Sequence, residues 1–196
     1  MDGLLGVIIA AIVGYLLGSI PFGLLLTKAA GMGDIRAIGS GNIGATNVLR
    51  TGNKWLALAT LLLDAGKGAL AVLAAREIAP DATLVAAAAA FFGHLYPMWL
   101  NFRGGKGVAV FLGIALAINL MLGAVCCGVW LLTGLLFRYS SVAALAAAAF
   151  APIYAAVMVG RLEGVLFVLL ALMIFQRHSS NIRRLLRGEE PKIGQK

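Results

Sequence analysis

Apolar stretches long enough to cross a lipid bilayer recur along this chain, and that recurrence limits its fold more than any motif does. A helix needs about 20 apolar residues to span a bilayer's hydrocarbon core. Inside that core each backbone N–H and C=O must be satisfied within the protein, so the spanning elements of such a chain are α-helices. With 61% of its 196 residues hydrophobic and 12% charged, the chain is too apolar for a soluble domain. The expectation is all-α: one polytopic membrane domain over residues 1–196.

The spans can be placed in order. Residues 4–27 form the first, with Gly14, Gly18 and Ser19 as small surfaces for helix contact and Pro21 as a kink. Asp2 stands where a signal peptide would be basic, and no small-residue cleavage site follows, so this span is read as retained. Residues 55–78 and 82–100 form the next two, and residues 142–160, with a kink at Pro152, and 164–175 the last two. Residues 108–137 are too many for one ordinary span and few for two, which suggests two short helices joined near Asn119. Arg161, Leu162 and Glu163 read as a tight turn, and residues 176–196 as a basic tail.

Seven transmembrane helices with the N-terminus outside and the C-terminus cytoplasmic put Arg36, Arg50, Lys54, Arg103, Lys106, Arg138 and the tail on the cytoplasmic side. Only Arg76 and Arg161 fall outside, and a six-span chain breaks this agreement. The net charge of +8 is thus explained by membrane topology, with no need for nucleic acid. The only cysteines, Cys126 and Cys127, are adjacent within an apolar run, which excludes a disulfide framework or a four-ligand zinc site.

Three polar islands interrupt the hydrocarbon. The first, residues 39–50, combines Gly39, Gly41 and Gly44 with Ser40, Asn42, Thr46, Asn47 and Arg50. Glycines let backbone N–H groups approach a ligand, the polar side chains add partners, and a guanidinium matches phosphate oxygens bidentately. An anion site is the expectation, with a flexible inter-helix loop as the alternative. The glycine spacing matches a dinucleotide fingerprint, but no strand precedes it, so that reading fails. The second island, residues 93–109, holds His94, Arg103, Gly104, Gly105 and Lys106 and promises exposed N–H groups beside cations. It is not a P-loop, since Leu100 stands where a glycine is needed and no Ser or Thr follows Lys106. His94 reads either as a helix-end packing residue or as a site residue. In the third island His178 and Asn181 share a helical face within a basic segment suited to anionic lipid. Asp64 and Lys67, one turn apart within a span, read equally as a buried ion pair or as a wall of a substrate cavity.

Together the islands resemble the bacterial acyl-phosphate-dependent glycerol-3-phosphate acyltransferases, integral membrane enzymes of phospholipid synthesis. The resemblance lies in Ser-Gly-Asn-Ile-Gly-Ala-Thr-Asn at 40–47, Gly-His-x-x-Pro at 93–97 running into Gly-Gly-Lys-Gly-Val-Ala at 104–109, and His-x-x-Asn-Ile-x-Arg at 178–184. The motifs occur in the family's order, and Arg103 stands where a Lys is common in the family.

The resemblance implies a seven-helix fold in the bacterial inner membrane with its active site at the cytoplasmic face. Acyl phosphate is the implied donor and glycerol 3-phosphate the acceptor, giving lysophosphatidic acid and phosphate. No metal or other cofactor is implied, and a phosphate acyltransferase would act upstream. By matching position, Ser40, Arg50, Lys106, His178 and Asn181 resemble the catalytic and acceptor-binding set. Gly41, Asn42, Gly44, Thr46 and Asn47 resemble the donor-phosphate pocket, with His94, Arg103, Gly104 and Gly105 as further substrate-binding positions.

Other chemistries leave less trace. The acyltransferase pattern of His, four residues and Asp would need Asp at Trp99 or Arg183, and no Ser-His-Asp arrangement is apparent. A membrane transporter of phosphorylated metabolites is the rival from another class, because cationic loops with intramembrane Asp64 and Lys67 suit anion passage. Transporters of that kind often carry an internal repeat of spans, whereas these islands differ in sequence.

Overall fold

The computed structural model describes residues 3–194, and among them every regular element is helical. In chain order these are α1 (Gly3–Gly18), α2 (Phe22–Ala29), α3 (Ala45–Leu49), α4 (Lys54–Ile78), α5 (Thr83–Leu95), α6 (Val108–Ile118), α7 (Leu120–Phe137), α8 (Ser140–Met158), α9 (Arg161–Arg177) and α10 (Ser179–Leu186). Asp2 lies outside the described residues.

Five segments are long and apolar enough to cross a membrane: Gly3–Ala29, Lys54–Ile78, Pro80–Leu100, Leu120–Phe137 and Ser140–Met158. Helices α9 and α10, bent by 59° at His178, make a sixth if taken as one span. The apolar α6 has 11 residues and so about 16 Å of length, short of a hydrocarbon core of about 30 Å. The apolar stretch 108–137 does break at Asn119, whose carbonyl side chain accepts from Leu122 N and starts α7. Arg161 to Glu163 belong to the first turn of α9 and do not form a separate turn.

The chain divides into two compact units, Met1–Ala117 and Ile118–Lys196. In the first, α1 lies against α5 on surfaces stripped of side chains. A Cβ at Gly18 would collide with the Ala90 carbonyl, one at Gly14 with the Ala86 backbone, and one at Gly93 with the Tyr15 carbonyl. Such small-residue contacts replace the hydrophobic driving force that lipid does not supply. Close approach also joins α4 to α6, where Gly68 meets the Val110 backbone and Gly113 the Ala65 backbone.

The long connector between α2 and α4 is a folded cap. Ile35, Ile43 and Val48 are buried with Leu24 of α2 and Ala57 of α4, and Ile38, Leu49, Leu56 and Leu100 pack around them. Residues 39–50 therefore belong to a packed segment, where a flexible loop was the alternative.

In the second unit α8 packs between α7 and α9. Its buried face is alanine (Ala143, Ala144, Ala147, Ala148, Ala151 and Ala155), and Gly164 of α9 sits against Ala156. Pro152 lies inside α8 without ending it. Cys126 is buried and Cys127 half-buried, as packing residues would be. Leu62, Leu132, Leu136, Ile153 and Leu172 face outward, as a lipid-bathed surface requires.

The glycine seam has a measurable consequence. Gly18→Ala should destabilise the protein by about 1–3 kcal/mol through overpacking. Gly66→Ala, whose Cβ would meet nothing within 4 Å, should fall within about 1 kcal/mol of the parent or above it, because Ala is the better helix former. Thermal unfolding in detergent separates the two.

Candidate active site

The first island is organised around one amide. Asn47, buried in the short helix α3, donates from Nδ2 to the carbonyls of Ile35 (3.0 Å), Ile38 (2.9 Å) and Asn42 (2.8 Å). Its Oδ1 accepts from Ser40 N at 3.0 Å and Ser40 Oγ at 3.3 Å. Asn47 therefore shapes the loop from within, although its position in the motif suggested ligand contact. Two residues adopt left-handed backbone, Gly39 at φ +57° and Gly41 at φ +69°. At Gly39 a side chain would also meet Asn47 Oδ1 and the Arg50 side chain, so Arg50 lies across the glycine turn. Ser40 and Thr46 are exposed, Asn42, Gly44 and Arg50 half-buried, and Asn42 Oδ1 is a buried acceptor without a donor among the described residues. Beside the island, Arg36 grips Asp34 bidentately, and its hydrogen bonds lower the Asp34 pKa to about 2.

The second island folds back onto the end of α5. Past Pro97 the chain makes a 3-10 turn, Met98–Leu100, then reverses through Asn101 and Phe102, both with left-handed backbone. This aims Gly104 N at the Leu95 carbonyl and Gly105 N at the His94 carbonyl, each 3.0 Å. The sequence suggested exposed N–H groups here, yet the structure turns these two inward. Glycine is needed for contact: a Cβ at Gly104 would strike the His94 carbonyl, and one at Gly105 would strike His94 Nε2. Arg103 is exposed and Lys106 half-buried.

Beneath it lies a network of buried charge. Lys67 Nζ is 2.6 Å from Asp64 Oδ1, 2.6 Å from the Ile20 carbonyl and 3.0 Å from His94 Nδ1. The first span breaks there, so the Ile20 carbonyl stands outside a helical ladder and accepts from Phe22 N at 3.1 Å as well as from Lys67. The same break gives the Ser19 carbonyl to Trp99 Nε1 at 2.8 Å. Tyr15 adds a third tie, donating to the Tyr96 carbonyl at 2.9 Å and accepting from Met98 N at 3.1 Å. An ion pair was one of the two readings open for Asp64 and Lys67.

In the second unit His178 is buried at the bend between α9 and α10, with Nδ1 2.8 Å from the Ile174 carbonyl. A carbonyl can only accept, so Nδ1 carries the proton, and the neutral ring's acceptor is Nε2. Asn181, also buried, donates from Nδ2 to Glu190 Oε1 at 2.6 Å. The same oxygen accepts from Ser141 Oγ at 2.7 Å, and Oε2 accepts from Arg184 Nε at 2.8 Å. Burial pushes the Glu190 carboxyl up, but hydrogen bonds from Asn181, Ser141 and Arg184, with the Arg184 charge, together hold it below the usual carboxylate range. Sequence reasoning gave Glu190 no role. The available signal was the acidic pair Glu189 and Glu190 in a tail whose other charged residues are basic.

The chain is similar to known proteins in sequence and fold. A family model described as glycerol-3-phosphate acyltransferase matches residues 8–188. A Mesorhizobium japonicum protein named glycerol-3-phosphate acyltransferase is 56% identical over 191 residues, which cover 97% of this chain and 98% of that relative. A Cereibacter sphaeroides protein of the same name is 55% identical over 196 residues, covering 100% of this chain and 93% of its own. The crystal structure of PlsY (YgiH), an integral membrane glycerol 3-phosphate acyltransferase, in its glycerol 3-phosphate form is similar with a TM-score of 0.91 and 35% identity over 96% of each chain. Its lysophosphatidic acid form gives 0.88 and 34% over 96% of this chain and 95% of the other. With a family match over residues 8–188 and such identity along nearly its full length, this chain belongs to the glycerol-3-phosphate acyltransferases.

Proposed function

We propose that this membrane protein transfers an acyl group to the sn-1 hydroxyl of glycerol 3-phosphate, giving lysophosphatidic acid. The observation that carries this is the 56% identity to a glycerol-3-phosphate acyltransferase along 97% of the chain. Solved relatives bear the acceptor in one form and the product in another. The transporter alternative loses its ground, because Asp64 and Lys67 are each about 2% exposed at the side chain and paired with one another.

The donor in this reading is acyl phosphate. The acceptor oxygen attacks the acyl carbon, the bond from that carbon to the phosphate oxygen breaks, and inorganic phosphate leaves. The hydroxyl proton goes to a phosphate oxygen. Both substrates are phosphorylated, and catalysis rests on placement and on cations aimed at developing negative charge. Arg50, lying across the Gly39 turn, supplies a planar fork for phosphate, and Lys106 a second charge. Ser40 and Thr46, exposed on the first island, offer hydroxyls, and Gly41, Asn42 and Gly44 shape the donor-phosphate pocket that Asn47 holds open. Gly104 and Gly105 let the second island close onto His94, with Arg103 at its rim. His178, with its proton fixed on Nδ1, presents Nε2 as an acceptor that orients the acceptor hydroxyl, and Asn181 is its neighbour on α10. The reaction requires no cofactor, and a phosphate acyltransferase upstream would make the donor.

Seven crossings, an outside N-terminus and a cytoplasmic active face in the bacterial inner membrane complete the reading. The distribution of Lys and Arg supports this topology, and it requires the short α6 to count as a crossing.

Purified protein in lipid, given acyl phosphate and glycerol 3-phosphate, should release phosphate and lysophosphatidic acid in step. Arg50→Ala should lower kcat/KM at least about 100-fold. Folded protein that transfers no acyl group would overturn the function. His178→Ala should raise KM and lower kcat while the shape of the pH–rate profile persists; loss of the acidic limb would make His178 the general base instead. Glu190→Gln should cost about 1–3 kcal/mol at neutral pH by removing the Arg184 charge pair and placing a donor among donors. Because the folded carboxyl titrates below its ordinary range, that stabilisation is present at neutral pH and is lost as acid protonates it. Unfolding midpoints of parent and variant should therefore converge on acidification.

A further inference from the structure

The Asp64–Lys67–His94 network has no assigned part in the reaction. Lys67 has three N–H donors, and the three groups around them are the Asp64 carboxylate, the Ile20 carbonyl and His94 Nδ1. An ammonium cannot accept, so His94 Nδ1 is the acceptor and the neutral ring carries its proton on Nε2. That nitrogen lies against Gly105, at the place where any other residue's side chain would stand. His94 also holds the island through its backbone, since its carbonyl accepts from Gly105 N at 3.0 Å. Lys67 thus sets the chemical face that His94 turns to the Gly104-Gly105-Lys106 turn from a distance of one side chain.

We propose that Lys67, held by Asp64 and the Ile20 carbonyl, is a positioning residue for the acyltransferase. It fixes the tautomer and ring plane of His94, and thereby the turn that presents Lys106 to the phosphate of glycerol 3-phosphate. This rests on the function proposed above for that turn. A charge pair serving stability alone would need neither the histidine nor the turn. Inside a span, replacing a whole ion pair with apolar or neutral residues of similar volume is often tolerated, whereas removing one partner leaves a buried charge.

The chain has two histidines, and the structure gives them opposite tautomers: Nε2–H at His94 and Nδ1–H at His178. Ring 15N spectra of the protein in lipid nanodiscs at neutral pH, assigned with His178→Gln, should show both. This readout needs no turnover, so it stands apart from the acyl-transfer assay of the parent, which tests the function itself.

The paired variant Asp64→Asn/Lys67→Met should lose the fixed His94 tautomer and raise KM for glycerol 3-phosphate at least about tenfold, with kcat changed less than about threefold. An Nδ1–H tautomer at His94 in the parent, or an unchanged KM in the folded paired variant, would overturn the proposal. If the paired variant does not fold, two substitutions at His94 decide. A glutamine amide reaches the Nε2 position and an asparagine amide only the Nδ1 position. His94→Asn should therefore have a KM at least about fivefold above that of His94→Gln, and equal values would overturn the proposal.

Discussion

An ammonium group in a place without water needs an acceptor for each of its hydrogens, and much of the first unit is arranged to provide them for Lys67. One acceptor is an acid a helical turn away, which local sequence supplies. Another is a main-chain carbonyl, that of Ile20, which points at Lys67 from the break between α1 and α2. The last is a ring nitrogen on α5. Three segments far apart in sequence are thus fixed by one cation. The glycine seam between α1 and α5 is what brings them within reach, since a larger residue at Gly18 or Gly93 would hold the segments apart.

The first island shows the same economy in neutral form. A primary amide has two donors and one good acceptor atom, and Asn47 turns all of them inward, so a segment rich in glycine keeps a single shape. Such a loop offers fixed side chains to a ligand without the ordering cost of a mobile one.

Much of this was legible in the residues. The helices and the break at Asn119 follow from apolar run length and one capping amide, and the islands stood out by polarity alone. The Asp64–Lys67 pair could be read as two alternatives but not decided, because the deciding partners, Ile20 and His94, are distant in sequence. Gly104 and Gly105 misled for a related reason. A glycine chosen so that backbone can approach a ligand looks identical to one chosen so that backbone can approach a neighbouring helix, and only the position of His94 tells them apart. Glu190 was missed because its three partners come from two helices and its own sequence neighbours include Glu189 and Lys192, which make the tail look like solvated surface. The count of crossings stays a matter of charge distribution, since α6 has the composition of a span without the length.

The Glu190 anchor also orders events in time. Asn181 and Ser141 acquire their shared carboxylate only when residue 190 has left the ribosome. All the helices before it can enter the membrane while this part of the second unit still lacks its anchor. Assembly of the histidine-bearing corner therefore follows synthesis of the helices that it joins, and a nascent chain halted short of residue 190 would sit in the membrane with that corner untied.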